Sequence, residues 1–240
     1  MPADAKTLAL ETSTRRSGLA LLVGTRTLAA HTLSADADSA RLLMPLLAEL
    51  LDRVGWRPGD LELIGVSVGP GSFTGLRIGI TTAKTLAYAT GAQVVAVDTL
   101  RAIAAQSPPE HDAVRVASDA GRGEAYTATF HRQADGLLKR VDEPTIINRE
   151  SWLGTLDRSV AQTGSALARW LREREGDARL AAAVIADEGC WTPTAETVGR
   201  IAIARHAAGD TDDLWELAPR YIRRSAAEDV WEARHGGTNI

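Results

Sequence analysis

The chain has 240 residues, 45% of them apolar and 24% charged, with a formal net charge of −4 and a pI near 5.8. This composition excludes a disordered or fibrous chain, and the acidic balance gives no overall attraction to nucleic acid or anionic membrane. Any RNA contact must therefore be local or supplied by a partner. Cys190 is the single cysteine, so no intramolecular disulfide is available and a reducing compartment fits best. With no apolar signal core near Met1 and no run of about 18 apolar residues, a cytoplasmic protein without membrane contact is expected.

In chain order, Thr7 to Leu10, Gly18 to Val23 and Leu28 to Leu33 read as an antiparallel meander of three strands. Residues 39 to 54 carry Leu42, Leu43, Leu46, Leu47, Leu50, Leu51 and Val54 at three-and-four spacing, which predicts a helix with a wide apolar face, with Pro45 tolerable only near its first turn. A buried strand over 61 to 68, a glycine loop, a helix over 76 to 90 and a strand at Val94 to Val97 follow. Three antiparallel strands followed by two βα-connected ones are the order of a ribonuclease-H-like lobe.

The polar, proline-bearing Gln106 to Glu110 marks a boundary between residues 1–107 and 108–240. Beyond it, 114 to 118 and 125 to 130 read as strands joined by Asp119-Ala120-Gly121-Arg122-Gly123-Glu124, so the first motif restarts. Weaker signals give a short strand at 160 to 163, a helix from Leu167, an apolar run at 181 to 186 and a helix near 194 to 208. An extended tail containing Pro219 to Arg224 is expected to return to the first lobe after about residue 213.

The glycine loop Gly69-Pro70-Gly71-Ser72-Phe73-Thr74-Gly75-Leu76-Arg77 lies between strand and helix, where backbone can approach another surface and Ser72 or Thr74 can cap the helix start. It is not a P-loop, because Leu76 and Arg77 follow Gly75 where Lys and Ser or Thr are required. Nor is it a dinucleotide fingerprint, since Thr74 stands at the sixth position and Gln93 and Val94 stand where an acidic residue belongs. A ligand or partner loop and a tight turn without a ligand both satisfy the spacing.

Leu8 to Thr14, the stretch Gly69 to Gly79, Asp119 to Tyr126 and Pro219 to Arg223 together resemble the TsaB (YeaZ) family over nearly the whole chain. The resemblance implies an α/β, actin-like ATPase fold of two lobes, each a mixed sheet flanked by helices, the second lobe reduced. It also implies a role in adding a threonylcarbamoyl group to the adenosine beside the anticodon of tRNAs. In that family the chain is a non-catalytic partner of the TsaD catalytic subunit, joined by the TsaE ATPase, and meets tRNA only through the complex. No catalytic residue, metal or cofactor is then expected on the chain itself, which leaves the interface of the complex for ATP or ADP.

The residues agree with that division of labour in two places. The five histidines lie far apart and helix 39 to 54 contains none, so local spacing assembles no metal site. Glu11 replaces the Asp more usual after the first strand, and the extra methylene displaces a carboxylate that would orient a metal-nucleotide complex. Glu11, Thr12 and Ser13, with Gly69, Gly71, Ser72, Thr74, Gly75 and Arg77, remain candidates for a nucleotide or interface loop. They serve equally well as a capped turn. Asp119, Arg122 and Glu124 fit a surface salt bridge better than acid-base chemistry, since no nucleophile accompanies them.

The helices are the alternative carriers of function. Small residues Gly79, Thr82, Ala83 and Ala87, with Leu86, would let a partner helix approach. Leu43, Leu46, Leu47 and Leu50 would supply the facing apolar stripe, for self-pairing or for TsaD. On that expectation Gly79→Arg disturbs pairing alone. Covering the chain's own sheet is the competing role for both helices. A stand-alone nucleotide hydrolase or small kinase of the actin-like group is the functional alternative, and a peptidase is disfavoured because neither a zinc pair nor an activated nucleophile is visible.

Overall fold

A computed structural model of the chain describes residues 4–35, 38–134, 136–174 and 177–223; Arg224 and His235 lie outside them. Strands β1 (Lys6–Glu11), β2 (Gly18–Val23) and β3 (Arg26–Thr32) form the expected meander, and helix α1 spans Ser39–Val54. Strand β4 (Leu63–Gly69), helix α2 (Phe73–Thr90), strand β5 (Gln93–Asp98) and helix α3 (Thr99–Ala104) follow. The described strands of this lobe pair in the order β3-β2-β1-β4-β5, with β1, β4 and β5 parallel. This is the ribonuclease-H-like arrangement that the element order implies.

Alternation of side chains sorts the sheet into two apolar faces. Leu8, Leu10, Ile64 and Val66 point to the side covered by α1 and α2, where Leu43, Leu47, Leu50, Ile80 and Ala83 are buried. Ala9, Leu22, Leu63 and Val95 point to the other side. Asp38 caps α1 and Gly55 ends it in the left-handed region. Pro45 sits in the second turn rather than the first, on the exposed face, and removes one backbone hydrogen bond of the helix.

The second sheet is built from β6 (Ala113–Gly121), β7 (Glu124–Arg132), β8 (Leu138–Arg140), β9 (Thr145–Asn148), β10 (Ala161–Thr163) and β11 (Val184–Ile185). Its path runs β11-β10-β6-β7-β8, with β9 also paired to β7. Helices α4 (Arg149–Leu153) and α5 (Leu167–Trp170) cover one face through Trp152 and Trp170, whose rings lie 5.2 Å apart. Strands β8 and β9 and helices α3 and α4 are short elements that periodicity does not assign.

The division at 107/108 does not hold in space for the helix α6 (Ala195–Ala207). Val198 and Ala202 pack on the first sheet, because two glycines let the helix come close: a Cβ on Gly65 would lie 2.6 Å from Ala202 Cβ, and one on Gly199 would lie 2.5 Å from Leu22 Cδ1. The segment after α6 stays with the same lobe as far as Arg220. Asp212 bonds the Ala96 amide, Leu217 enters the core beside α2, and the Arg220 amide donates to the Val68 carbonyl at 2.7 Å. Gly65→Ala should therefore lower unfolding free energy by about 1–3 kcal/mol through overpacking. Adding Ala202→Gly should recover part of that loss, as read from urea denaturation of the single and double variants.

Candidate functional site

The turn after β1 and the glycine loop meet each other at the carboxyl ends of β1 and β4. The Ser72 amide donates to the Ser13 carbonyl at 2.7 Å, and Ser72 Oγ caps α2 by accepting from the Gly75 amide. A Cβ on Gly71 or Gly75 would collide with the Ser13 or Thr12 carbonyl, and one on Gly79 with Thr12 Oγ1. These glycines are thus needed for contact within the chain. Helix α2 begins at Phe73, three residues earlier than its apolar spacing indicates, because the Ser72 cap fixes its first turn.

Glu11 and Thr12 lie completely inside this contact. Glu11 Oε1 accepts from the Ser13 amide at 2.6 Å and the Ser13 hydroxyl at 2.5 Å, while Oε2 and Thr12 Oγ1 have no partner among the described residues. Burial pushes the Glu11 carboxyl above its ordinary range, opposed by the hydrogen bonds from Ser13 and Ser67. The carboxylate is turned into the protein.

In front of the contact is a cleft of about 420 Å³ between the lobes. Ser13, Arg15 and Arg16 line one side with Gly71 and Ser72, and Asp119, Gly121 and Ser165 line the other. Asp119 accepts from the Gly121 amide at 3.0 Å, so it caps its own hairpin. Glu124 is bound by Arg223, which also reaches the Ala120 carbonyl at 2.8 Å. Arg122 is exposed with φ 55° at the tip. The three charged residues of this hairpin do not converge on one point.

Residues 31–173 match the family model TsaD, tRNA N6-adenosine threonylcarbamoyltransferase. The chain is 31% identical over 229 residues to the Bacillus subtilis strain 168 protein named tRNA threonylcarbamoyladenosine biosynthesis protein TsaB, covering 93% of this chain and 96% of that one. The chain belongs to the TsaB family. The Escherichia coli K12 protein of the same name is 28% identical, over 92% of this chain and 95% of its own. A crystal structure from Pseudomonas aeruginosa, described as an uncharacterized protein with similarity to peptidase YEAZ, superposes with a TM-score of 0.77 at 27% identity. It covers 91% of this chain and 100% of its own. The fold is accordingly the two-lobed actin-like one.

Glu11 is not among the residues that line the cleft: it is buried behind Ser13, which does line it and donates to Oε1, and Asp119 is the carboxylate in the lining. Among the described residues no group of three or more His, Cys, Asp or Glu is placed to hold a metal, and His206 is buried against Gln93 at 2.7 Å. Thr74 is exposed on the first turn of α2, whereas Arg77 stacks on Phe73 at 3.9 Å and bonds the Tyr221 hydroxyl at 3.2 Å. Gly69, at φ 114°, seats the carbonyl of Arg220: a Cβ there would lie 2.6 Å from it.

The helix residues expected to face a partner require correction. Leu43, Leu46, Leu47 and Leu50 are buried against the first sheet, as are Ala83, Leu86 and Ala87, and Gly79 faces Thr12; Thr82 is half-buried. Periodicity finds the apolar stripe, but one sheet face consumes it. The outward side of α1 carries Leu42 and Met44, 43% and 49% exposed, and that of α2 carries Phe73 and Tyr88. Tyr88 packs edge-on against Trp215 at 5.9 Å. These exposed aromatics and their tail partners are absent from the sequence-based set because small residues and leucines dominate it.

Gly79→Arg would therefore unfold the start of α2 rather than disturb pairing alone. Gly79→Ala should already lower the denaturation midpoint, with Thr12→Ala restoring part of it, since it is Thr12 Oγ1 that the added Cβ meets. The buried carboxyl makes a separate prediction. Its folded-state pKa lies above the ordinary value of 4.5, so its favourable contribution is full below that pH and is lost as pH rises through the folded value. Glu11→Gln should gain stability relative to the native chain as pH is raised toward neutrality. Parallel stability profiles of the two proteins across that window would show that Glu11 ionises without cost.

Proposed function

We propose that this chain acts in tRNA threonylcarbamoyladenosine biosynthesis as a non-catalytic subunit that binds a TsaD-like catalytic protein and holds it in a transfer-competent form. The pathway is supported by the names of the relatives, which align over nearly their full length. The absence of independent catalysis is supported by one observation above all: the Glu11 carboxylate is fully buried behind the cleft-lining Ser13, which donates to its Oε1. A carboxylate held so cannot orient a metal or a water at the cavity wall.

The partner face is the outer side of α1 and α2, which lie together on one face of the first sheet. Leu42, Met44, Phe73 and Tyr88 expose apolar area there, and such area is stabilised when a partner covers it. A second copy of the chain can use the same face, so self-association and pairing with the catalytic subunit would compete. A TsaE-like ATPase and the tRNA would join the resulting pair, and ATP or ADP would belong to its interface.

Light-scattering mass of the chain alone, of a TsaD-family protein from the same source, and of their mixture tests this directly. A mixed complex that transfers threonylcarbamoyl to tRNA, from components inactive alone, is the expected result. A chain that turns over ATP unaided and ignores the partner would overturn it. Leu42→Glu and Met44→Glu should each weaken the complex by about tenfold or more while leaving the far-UV spectrum unchanged, because both side chains lie on the exposed side of α1. Leu43→Glu, one residue away, should instead unfold the first lobe.

A further inference from the structure

The two lobes are tied to each other in two places of different character. The chain leaves the first lobe after α3 and returns to it before α6, and these crossings are clasped together. Gln106 Nε2 donates to the Thr192 carbonyl at 2.7 Å, and the Cys190 thiol donates to the Gln106 carbonyl at 3.1 Å. Helix α3 ends two residues before the clasp, with Ala102 in the first core and Leu100 and Ile103 in the second. Two crossings bonded side by side form a pivot, because few backbone angles need to change for one lobe to turn on the other. Thr192 also lines the interlobe cleft, so turning there alters its width.

The second tie is the end of the tail. Its root is fixed to β4, since the Arg220 amide donates to the Val68 carbonyl at 2.7 Å and Gly69 makes room for the Arg220 carbonyl. Beyond it, Ile222 packs against the second core and Arg223 holds the β6–β7 hairpin through Glu124 and, at 2.8 Å, the Ala120 carbonyl. Asp119 and Gly121 of that hairpin line the cleft opposite Ser13 and Ser72. The backbone bends at Ile222, so the three residues from Tyr221 to Arg223 stop short of the roughly 10 Å they would span when extended.

Between its two anchors, the tail rests on α2. The Tyr221 ring stacks on Phe73 at 4.8 Å and its hydroxyl accepts from Arg77 Nε at 3.2 Å, while the Arg77 guanidinium covers the Phe73 ring at 3.9 Å. Phe73 and Arg77 are one turn apart on the outward side of the helix, and Phe73 and Tyr221 are 39% and 42% exposed. Contacts this exposed are individually weak, so another group that takes the Phe73 ring can replace Tyr221.

We infer that Tyr221–Arg223 is a strap by which the outward side of α2 sets the opening of the interlobe cleft. Seated on Phe73, Tyr221 fixes the bent path of the strap and keeps the hairpin in place across the cleft. Unseated, the strap straightens toward its full reach and the lobes turn apart on the clasp. The coupling lies within one chain, and it stands whether or not a catalytic subunit covers that helix.

Pulsed electron spin resonance on the full chain tests the strap. Spin labels are attached at Arg16→Cys and Arg122→Cys, exposed positions on the two sides of the cleft, with Cys190→Ser keeping a donor at the clasp. Labelled chain is diluted into unlabelled chain, so that only distances within one molecule are read. A single narrow distribution is expected for the native strap. Phe73→Ala, which changes only α2, and Arg223→Ala, which changes only the tail, should each broaden it and shift it to longer distance, while Phe73→Tyr should preserve it. Tyr88→Ala, at the far end of α2 against Trp215, should leave it unchanged, because Leu217 and Arg220 anchor the tail in between. Should Arg223→Ala lose its fold by circular dichroism, Glu124→Gln makes the same comparison by removing only the charge that Arg223 holds. Equal distributions in native and variant chains would overturn the assignment, as would a broad one in the native chain. Widening by Arg223→Ala without widening by Phe73→Ala would also overturn it, since the strap would then have no link to α2. Equal widening by Tyr88→Ala would do the same, by showing a tail that loosens as a whole.

Discussion

The close seating of α2 on the turn after β1 is the contact on which the rest of this structure depends. Backbone meets backbone at Ser72 and Ser13, and Gly75 and Gly79 bring the first turns of α2 against Thr12 with no room for a side chain. That approach fixes where α2 crosses the sheet, and so which of its residues are buried. It also closes over Glu11, leaving a carboxylate in a place with two hydrogen-bond donors from Ser13 and no solvent. Desolvating a charge is costly, so the same packing that orders the helix disfavours ionisation of the one acid at the end of β1. The chemistry available at the cleft follows from packing behind it.

The tail fastens this arrangement to the second lobe. Its backbone bonds β4 through Arg220 and Val68, its Tyr221 ring stacks on Phe73 at 4.8 Å, and Arg223 holds the β6–β7 hairpin. Lys84 of α2 donates to the Trp215 and Leu217 carbonyls, at 3.0 and 3.2 Å. Exposed pairs of this kind contribute little one by one. Here they act on a segment whose Leu217 is anchored in the first core while Ile222 packs against the second, so the tail spans the cleft as one piece. Separating the lobes would require breaking buried apolar contacts at both ends.

Much of the fold is legible in the sequence where a single period dominates. Helix α1 has the boundaries that three-and-four spacing gives it because one face packs on the sheet, and the meander strands lie within two residues of their apolar runs, β1 and β2 because both of their faces are buried. Short elements such as β8, β9 and α4 escape, since three to five residues hold less than two turns or repeats and are ordered by neighbours such as Trp170 and β7. Residues 195–207 are legible as a helix, but their place on the first sheet depends on Gly65 and Gly199, and a missing side chain leaves no trace in an apolar pattern. The candidate site is half legible. Glu11, Ser13 and the glycine loop do come together, yet spacing does not say whether a ligand or the chain itself fills the space the glycines leave. The helix face is misread from sequence for a related reason: periodicity locates an apolar stripe without saying how many surfaces compete for it.

A glycine loop signals only that something approaches the backbone closely, and in this chain the approaching object is its own first turn. Once that space is filled from within, the cleft wall is formed by Ser13, Arg15 and Arg16 with the loop backbone of Gly71 and Ser72, and the Glu11 carboxylate stays behind it. The same seating of α2 sets which of its side chains turn outward: Phe73 and Tyr88 are exposed beside Leu42 and Met44 of α1, and apolar area so exposed is stabilised when another surface covers it.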